Sequence, residues 1–314
     1  MARARPALAR RGLAALLAVA GALAAASPAR AEVWKGLNIE NFKPALDPFG
    51  YATVNGARSL DPLHFHVQGV FNWARNPIEF AEPPPGKDTE IVRDLAVLDL
   101  GGSVGVLPIG KTGGLELGVN VPLVLVESGT RVDSLDGDFS GFGVGSVRTD
   151  AKLTFTDRDR PDWFPVGLAV RAFAEWATGQ ERDLLSDDGH NAYGVTAIVE
   201  RRLLGRLRLG VEVGYEYIEG RGQVAGITYD DKLLLGGGAA VDVIELWSIY
   251  AEAFHWARIG NLWKHEAEAP LEGDVGVKRS GGRLYIEAGV GAGGLVHGAG
   301  APDLRVHAAV GFTF

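Results

Sequence analysis

The sequence reads as an all-β chain, a transmembrane antiparallel up-and-down β-barrel of about 12 strands behind a cleaved signal peptide. Three observations lead there. The N-terminus has the layout of an export signal. The body alternates apolar and polar residues with a period of two, in segments of about ten residues. The last segment ends on an aromatic: Leu304, Val306, Ala308, Val310, Phe312 and Phe314 share one parity, and Arg305, His307 and Thr313 take the other. One face suits lipid and the other water, because successive side chains of a strand point to opposite faces.

Residues 1–31 form the signal. Arg3, Arg5, Arg10 and Arg11 precede an apolar run over residues 13–26, and Ala29-Arg30-Ala31 fits a cleavage site before Glu32. The run is too short for a membrane-spanning helix, which needs about 20 apolar residues. Later apolar runs are all interrupted by Gly, Asp, Glu or Arg, so a closed barrel is the one remaining way to span a bilayer. The net charge is −8, and loss of a signal carrying five Arg and no acid makes the mature chain more negative still. Nucleic acid is thereby excluded as a partner, since phosphate neutralisation needs cations. Without Cys there are no disulfides, thiolate nucleophiles or Cys-ligated metals. The 44 Gly are about twice the usual share of roughly 7%, which favours turn-rich β structure over helices.

Residues 32–62 lack periodicity and read as an N-terminal periplasmic lead-in, with the barrel over residues 63–314. The first strand, residues 64–74, turns Phe65, Val67, Gly69, Phe71 and Trp73 outward and His64, His66, Gln68 and Asn72 inward. The second, residues 91–106, is less regular, with Ala96, Leu98, Leu100 and Val104 outward and Asp99 and Ser103 inward. The third alternates Leu115, Leu117, Val119, Val121, Leu123 and Leu125 with Glu116, Gly118, Asn120 and Pro122. In the fourth, residues 146–156, Val147, Ala151, Leu153 and Phe155 oppose Arg148, Asp150 and Lys152. A one-residue slip here would turn Arg148 and Lys152 into lipid, at about 2–4 kcal/mol each near the midplane.

The fifth strand, residues 166–178, sends Val166, Leu168, Val170, Ala172 and Trp176 out and Arg171 and Glu175 in. The sixth, residues 191–201, keeps Tyr193, Val195, Ala197 and Val199 together. In the seventh, Leu207, Leu209, Val211, Val213, Tyr215 and Tyr217 oppose Arg206, Arg208, Glu212 and Glu216; in the eighth, Leu233, Leu235, Ala239 and Val241 oppose Lys232 and Asp242. Trp247, Ile249, Ala251 and Ala253 mark the ninth against Ser248 and Glu252, and the tenth sets Leu271, Val275 and Val277 against Asp274 and Lys278. In the eleventh, Leu284, Ile286, Ala288 and Val290 oppose Arg283 and Glu287. The chain-terminal segment is the twelfth, and an even number lets both termini face the periplasm.

The connections alternate as such barrels require, with short turns on one side and longer loops on the other. Residues 75–90, 127–145, 179–189, 218–226, 258–270 and 292–302 form the long set; residues 108–113, 157–164, 202–205, 243–245 and 279–282 form the short one. Aromatic residues gather at both ends, Trp73, Trp176, Tyr193, Tyr215, Tyr217 and Trp256 near the long loops and Phe155, Trp163, Trp247, Phe312 and Phe314 near the short turns. Two interfacial girdles are expected. A soluble two-sheet sandwich also alternates, but does not account for the signal, the loop lengths and the terminal Phe together.

Phe42-Lys43-Pro44-Ala45-Leu46-Asp47-Pro48 with Gly50-Tyr51, then Ala57-Arg58 and Ala74-Arg75-Asn76-Pro77, resembles the N-terminal barrel region of OmpA-family outer-membrane proteins of delta-proteobacterial type. Leu115-Glu116-Leu117-Gly118 followed by Val121-Pro122 is similar to the same family's third strand. In that family a peptidoglycan-binding domain commonly follows the barrel; here Phe314 follows directly on the last strand, so cell-wall anchoring is not carried over. The terminal Phe is similar to the signal read by barrel-assembly machinery, which is therefore an expected partner, with outer-membrane lipid and lipopolysaccharide around the wall.

The inward parity assigns a lumen lining of Glu116, Arg148, Asp150, Lys152, Arg171, Glu175, Arg206, Arg208, Glu212, Glu216, Lys232, Glu252, Asp274, Lys278, Arg283, Glu287 and Arg305, with Glu200 beside them. Mixed charge of this kind fits a polar pore passing small polar solutes. It equally fits a filled, salt-bridged lumen, since buried charges must pair and about 12 strands lie between filled barrels and open porins. His64-x-His66 lacks a third metal ligand, and Asp133-Ser134-Leu135-Asp136-Gly137-Asp138 and Asp187-Asp188-Gly189 depart from the Ca²⁺-loop spacing. Pro83-Pro84-Pro85 reads as a stiff spacer. No catalytic residue, metal or cofactor is assigned; a rim hydrolase would need His190 or His255 beside a nucleophile. The reading is a non-enzymatic outer-membrane barrel, a passive polar pore or structural envelope component, with loop-borne receptor or adhesin activity as the alternative.

Overall fold

The barrel wall is a ring of 12 antiparallel strands with one extra strand on its rim. The computed structural model describes residues 38–82, 87–129, 141–157, 165–178, 189–220, 222–224, 227–296 and 298–314. The expected signal at residues 1–31, Pro83-Pro84-Pro85, the acidic loop at 133–138, Trp163, Asp187-Asp188 and His297 lie outside the described residues. The ring runs through β1 (Phe65–Glu82), β2 (Lys87–Ile109) and β3 (Gly113–Gly129), with the short β4 (Gly141–Val144) laid on β3. It continues through β5 (Val147–Thr156), β6 (Gly167–Trp176), β7 (Ala192–Leu203) and β8 (Leu207–Ile218). After β9 (Gly222–Val224) and β10 (Ile227–Tyr229), which pair only with each other, come β11 (Lys232–Ile244) and β12 (Trp247–Arg258). Then follow β13 (Leu271–Arg279), β14 (Leu284–Val296) and β15 (Leu304–Thr313). The seam is β1 on β15, from His66 opposite Thr313 to Arg75 opposite Leu304.

Burial is inverted relative to a water-soluble protein. Val310 is 53% exposed and Val275 54%, with Val67, Leu117, Val195, Leu209 and Ile249 exposed beside them, while Arg305, Lys278, Glu200 and Glu287 are almost wholly buried. An exposed aliphatic belt wrapping a whole ring exceeds what a soluble monomer shows, and hydrocarbon is the solvent that suits it. Closure of the 12-strand ring pairs each wall strand with a neighbour on both sides, which spares the wall the open edge a bilayer core would penalise.

Bulges account for the places where the period-two reading slips. Residues 75–90 are expected as a long loop, yet β1 and β2 stay paired out to Glu82 opposite Lys87. The register breaks between Arg75 and Ile78, where Asn76 takes a φ of 50°, a left-handed conformation that Asn accepts more readily than most residues. The alternation is lost there but the ladder resumes. In β3 the parity flips near its end, so Val126 is exposed and Glu127 buried, opposite an irregularity between Ala96 and Val97.

The larger correction concerns the N-terminal segment. Residues 38–62, expected as a periplasmic lead-in, lie inside the barrel, with Ile39, Phe42, Leu46, Tyr51, Val54, Ala57 and Leu60 all buried. Asn41 is fixed at the long-loop end, donating to the Ala299 carbonyl oxygen (2.9 Å) and accepting from Trp256 Nε1 (2.9 Å). The segment then crosses the bore and leaves at the short-turn end, where Leu63 N donates to Gly105 O (2.8 Å) and Phe65 pairs with Phe314. Strands β1 and β15 thus begin and end together at the short-turn end, while Asn38 stands at the opposite mouth. The segment is irregular but folded on itself: Ala45 N donates to Ala52 O (2.9 Å) and Tyr51 N to Val54 O (2.8 Å).

Inward glycines of the wall make room for it. Gly210 on β8 and Gly238 on β11 are cross-strand partners, and the Tyr51 ring lies on both: a Cβ would fall 2.9 Å from the ring at Gly210 and 2.8 Å from it at Gly238. Leu46 rests likewise on Gly101 and Gly118. Adding side-chain volume to such a contact costs about 1–3 kcal/mol. Gly238→Val is therefore expected to lower the temperature at which the folded, heat-modifiable form is lost, whereas Gly237→Val, whose Cβ would meet nothing nearer than 3.9 Å, leaves it unchanged. Equal melting of the two variants would contradict this packing.

Candidate functional site

The bore is a site built by two sets of groups, charged side chains from the wall and backbone from the segment. Four glutamates accept the segment's N–H groups in chain order. Glu252 on β12 takes Thr53 N (2.9 Å), Val54 N (3.1 Å) and Thr53 Oγ1 (3.0 Å). Glu212 on β8 takes Asn55 N (2.9 Å), Glu200 on β7 takes Ala57 N (3.0 Å) and Glu116 on β3 takes Leu60 N (2.7 Å). The carbonyls are met by cations: Pro44 O accepts from Arg148 Nη2 (2.6 Å), Phe49 O from Arg208 Nη1 (3.1 Å), Gly50 O from Lys278 Nζ (2.7 Å) and Arg58 O from Lys152 Nζ (2.7 Å). Chain without a ladder has donors and acceptors that must be satisfied when buried, and charged partners make the stronger bonds.

Other charges of the wall pair with each other, some of them with groups that also hold the segment. Arg305 forms a two-pronged ion pair with Glu272, its Nη2 to Oε2 at 3.0 Å, donates to Asn72 Oδ1 (2.9 Å) and lies over the Phe42 ring (5.1 Å). Asp150 accepts from Arg148 Nε (2.9 Å) and Arg171 Nη1 (2.7 Å). Tyr250 Oη meets His307 Nε2 (2.8 Å) and donates to Glu287 (3.2 Å), which also takes Tyr285 Oη (2.5 Å). Between the segment and the wall a cleft of about 130 Å³ remains at the long-loop end. Its charged lining is Lys43, Arg148, Arg171, Lys232, Glu40, Glu175, Glu212 and Glu216, and Phe173, Phe254 and Trp256 are among its aromatic and apolar lining.

Of the residues assigned to the lumen from sequence, Glu116, Arg148, Lys152, Arg171, Glu175, Arg208, Glu212, Glu216, Glu252, Asp274, Lys278, Glu287 and Arg305 are buried toward the bore, and Asp150 and Lys232 are half-buried there. Arg206 and Arg283 are not: both are exposed in short turns. Arg206 follows Leu204 and Gly205, whose positive φ values of 50° and 70° end the strand before its parity applies. Trp256, expected in the outer girdle, faces inward. It shares parity with Ser248 and Glu252, and that signal alone places it in the bore. The segment's own groups, Thr53, Asn55 and Tyr51, left no periodic trace; the matching signal is the run of inward glycines on the wall.

His66 and His255 are held structurally. His66 bonds Thr313 Oγ1 (3.0 Å) and Gln68 Oε1 (3.1 Å), while His64 is exposed in the preceding turn, so the two do not converge. His255 has both ring nitrogens engaged, Nδ1 with Pro270 O (2.7 Å) and Nε2 with Trp263 Nε1 (2.8 Å). Since the indole only donates, Nε2 accepts and Nδ1 donates, which leaves no lone pair to act as a base toward a nucleophile.

No protein-family model matches the chain, and no curated protein matches it. Among solved structures, an outer-membrane channel from Pseudomonas putida F1 is similar with a TM-score of 0.65 at 12% identity, over 82% of this chain and 98% of that one. At that identity the likeness is one of fold, an outer-membrane-type β-barrel. NanC porin matches with a TM-score of 0.47 at 8% identity, over 80% of this chain and 98% of its own. KdgM porin matches at 0.43 and 9%, over 79% and 99%. These two likenesses are too slight to argue from.

Removing the Glu252 carboxylate leaves buried N–H groups of Thr53 and Val54 without an acceptor, at about 1–3 kcal/mol. Glu252→Ala is expected to speed amide exchange at Thr53 and Val54 while Ala57, held by Glu200, keeps its protection. Unchanged exchange at Thr53 and Val54, measured by deuterium uptake in detergent, would show that the glutamate does not hold the segment.

Proposed function

We propose that this protein is a non-enzymatic outer-membrane β-barrel acting as a narrow passive channel for small polar solutes, with residues 38–62 as the constriction in its bore. One observation carries the reading. A barrel of this size that served only as structure could fill itself with wall side chains; this wall instead presents Gly101, Gly118, Gly210 and Gly238 inward and admits a separate segment. Charged groups bind that segment mainly through hydrogen bonds, which water can replace when it moves, and a polar cleft stays open beside it at the long-loop end.

The exposed aliphatic belt supports insertion in outer-membrane lipid with lipopolysaccharide around the long-loop end, and with it delivery by barrel-assembly machinery. Export by the residues 1–31 signal supports the same compartment. Kinship with the barrel region of OmpA-family proteins rests on the motifs between Phe42 and Arg58 and on Leu115-Glu116-Leu117-Gly118. The first of these motifs lies in the segment that occupies the bore.

In a planar bilayer the full protein is expected to give small ohmic steps, and a variant lacking residues 42–58 severalfold larger ones, since the lumen charges then face water. Silent insertion of both forms, verified by the heat-modifiable band, would overturn the channel in favour of a structural barrel.

A further inference from the structure

The short-turn end carries arginines that the fold leaves unspent. On the outward face of β7 the exposed Val195, Ala197 and Val199 are followed by Arg201, exposed as they are. The outward face of β13 ends in the same way, Val275 and Val277 leading to Arg279, which stands opposite Trp247 on β12. Arg206 and Arg283 are exposed in the turns that follow these two strands. The side chains of Arg201, Arg206 and Arg283 make no hydrogen bond, ion pair or ring contact among the described residues. Arg279 donates one N–H of its five, from Nη1 to Leu284 O (2.6 Å).

The acids of this rim do not account for them. Asp242 is taken by Arg202 (2.6 Å) and lies 3.7 Å from Arg208, and Asp157 pairs with Arg58 (3.8 Å). Glu245, exposed on the β11–β12 turn, stands between the two arginine groups and pairs with neither. The other girdle has the opposite character, its rings donating to carboxylates: Trp73 Nε1 to Asp94 (3.2 Å), Tyr193 Oη to Glu219 (3.2 Å) and Tyr215 Oη to Asp231 (2.5 Å).

An exposed guanidinium at the edge of a lipid face has a defined complement. Its stem lies along apolar surface while its planar head extends to the interface, where the fork of N–H groups matches two oxygens of a phosphate. Leu204, 96% exposed at the tip of the β7–β8 turn, and Ile244, 67% exposed where β11 ends, border the same cations. Apolar side chains among cations suit the boundary of headgroups and acyl chains, and they have nothing to offer a phosphate ion in water. An acidic protein arriving from the aqueous side would meet the turns but not Arg201 and Arg279, which share the parity of the aliphatic belt.

We propose that Arg201, Arg206, Arg279 and Arg283 make the short-turn rim a binding surface for the phosphate of anionic phospholipid headgroups. The net charge of −8 repels such lipids, so a preference for them reports a local site. The proposal rests on insertion of the barrel in a bilayer and not on conduction. The full protein is reconstituted in phosphatidylcholine vesicles at about 0.1 M salt with a trace of spin-labelled phosphatidylglycerol or spin-labelled phosphatidylcholine, and the motionally restricted fraction of each label is read by electron spin resonance. Phosphatidylglycerol is expected to be enriched about twofold or more around the protein. Arg201→Gln, Arg206→Gln and Arg283→Gln together should abolish the enrichment while the heat-modifiable band persists. Arg75→Gln with Lys264→Gln, exposed cations of the long-loop end, should leave it in place. No enrichment by the folded unmodified protein, enrichment that survives the triple change, or equal loss in the long-loop control overturns the assignment. So does enrichment erased by inorganic phosphate but not by chloride at equal ionic strength, which makes the arginines a site for a free anion. A silent barrel that still enriches phosphatidylglycerol removes the channel and keeps the lipid site; a conducting barrel without enrichment does the reverse.

Discussion

The structure depends on one exchange, in which charged side chains of the wall satisfy the backbone of an irregular segment. A strand meets its own hydrogen-bonding needs through its neighbours; residues 38–62 have none. Glu252, Glu212, Glu200 and Glu116 accept their N–H groups, and Arg148, Arg208, Lys278 and Lys152 reach their carbonyls. The same contacts answer the opposite problem, since so many charges packed into a bore would be costly if left unpaired. Wall and segment each supply what the other lacks, and both signs of charge are accordingly present around the ring.

Shape follows the same division. The wall yields volume where the segment is bulky, at Gly210 and Gly238 under Tyr51 and at Gly101 and Gly118 under Leu46. It supplies volume of its own beside the segment's start, where Arg305, Tyr250, Tyr285 and His307 pack around Phe42 and Glu272 pairs with Arg305. The apolar cluster of Phe42, Tyr51, Val54, Val70, Tyr250 and Tyr285 sits where these two regimes meet. It is a conventional hydrophobic core placed inside a polar lumen, and it shields the surrounding ion pairs from water.

Much of this was legible in the sequence because a strand with lipid on one side and charge on the other writes its register into every second residue. Leu115 to Leu125 against Glu116 and Asn120 determines β3 without ambiguity, and the Arg148–Asp150–Lys152 series does so for β5. The bore-filling segment was not legible, because it repeats nothing: its order comes from partners far away in sequence, as Asn55 with Glu212 shows. Bulges at Arg75 to Ile78 and Ala96 to Val97 hid strand length for a related reason, erasing the alternation while preserving the pairing. Arg206 and Arg283 stand in turns immediately before β8 and β14 begin, where the parity of those strands does not yet apply.

Asn38 and Phe65 stand at opposite mouths although only 27 positions separate them. A polymer cannot be drawn into a closed tube that it already fills, so either its leading portion lies across the nascent sheet before the edges of β1 and β15 meet, or it threads through an empty tube afterwards. In the first case, sealing the hoop and seating the core become a single cooperative event. Resistance to denaturants would then belong to the ensemble of hoop and contents together, and the last pair of edges to join would bear the rate.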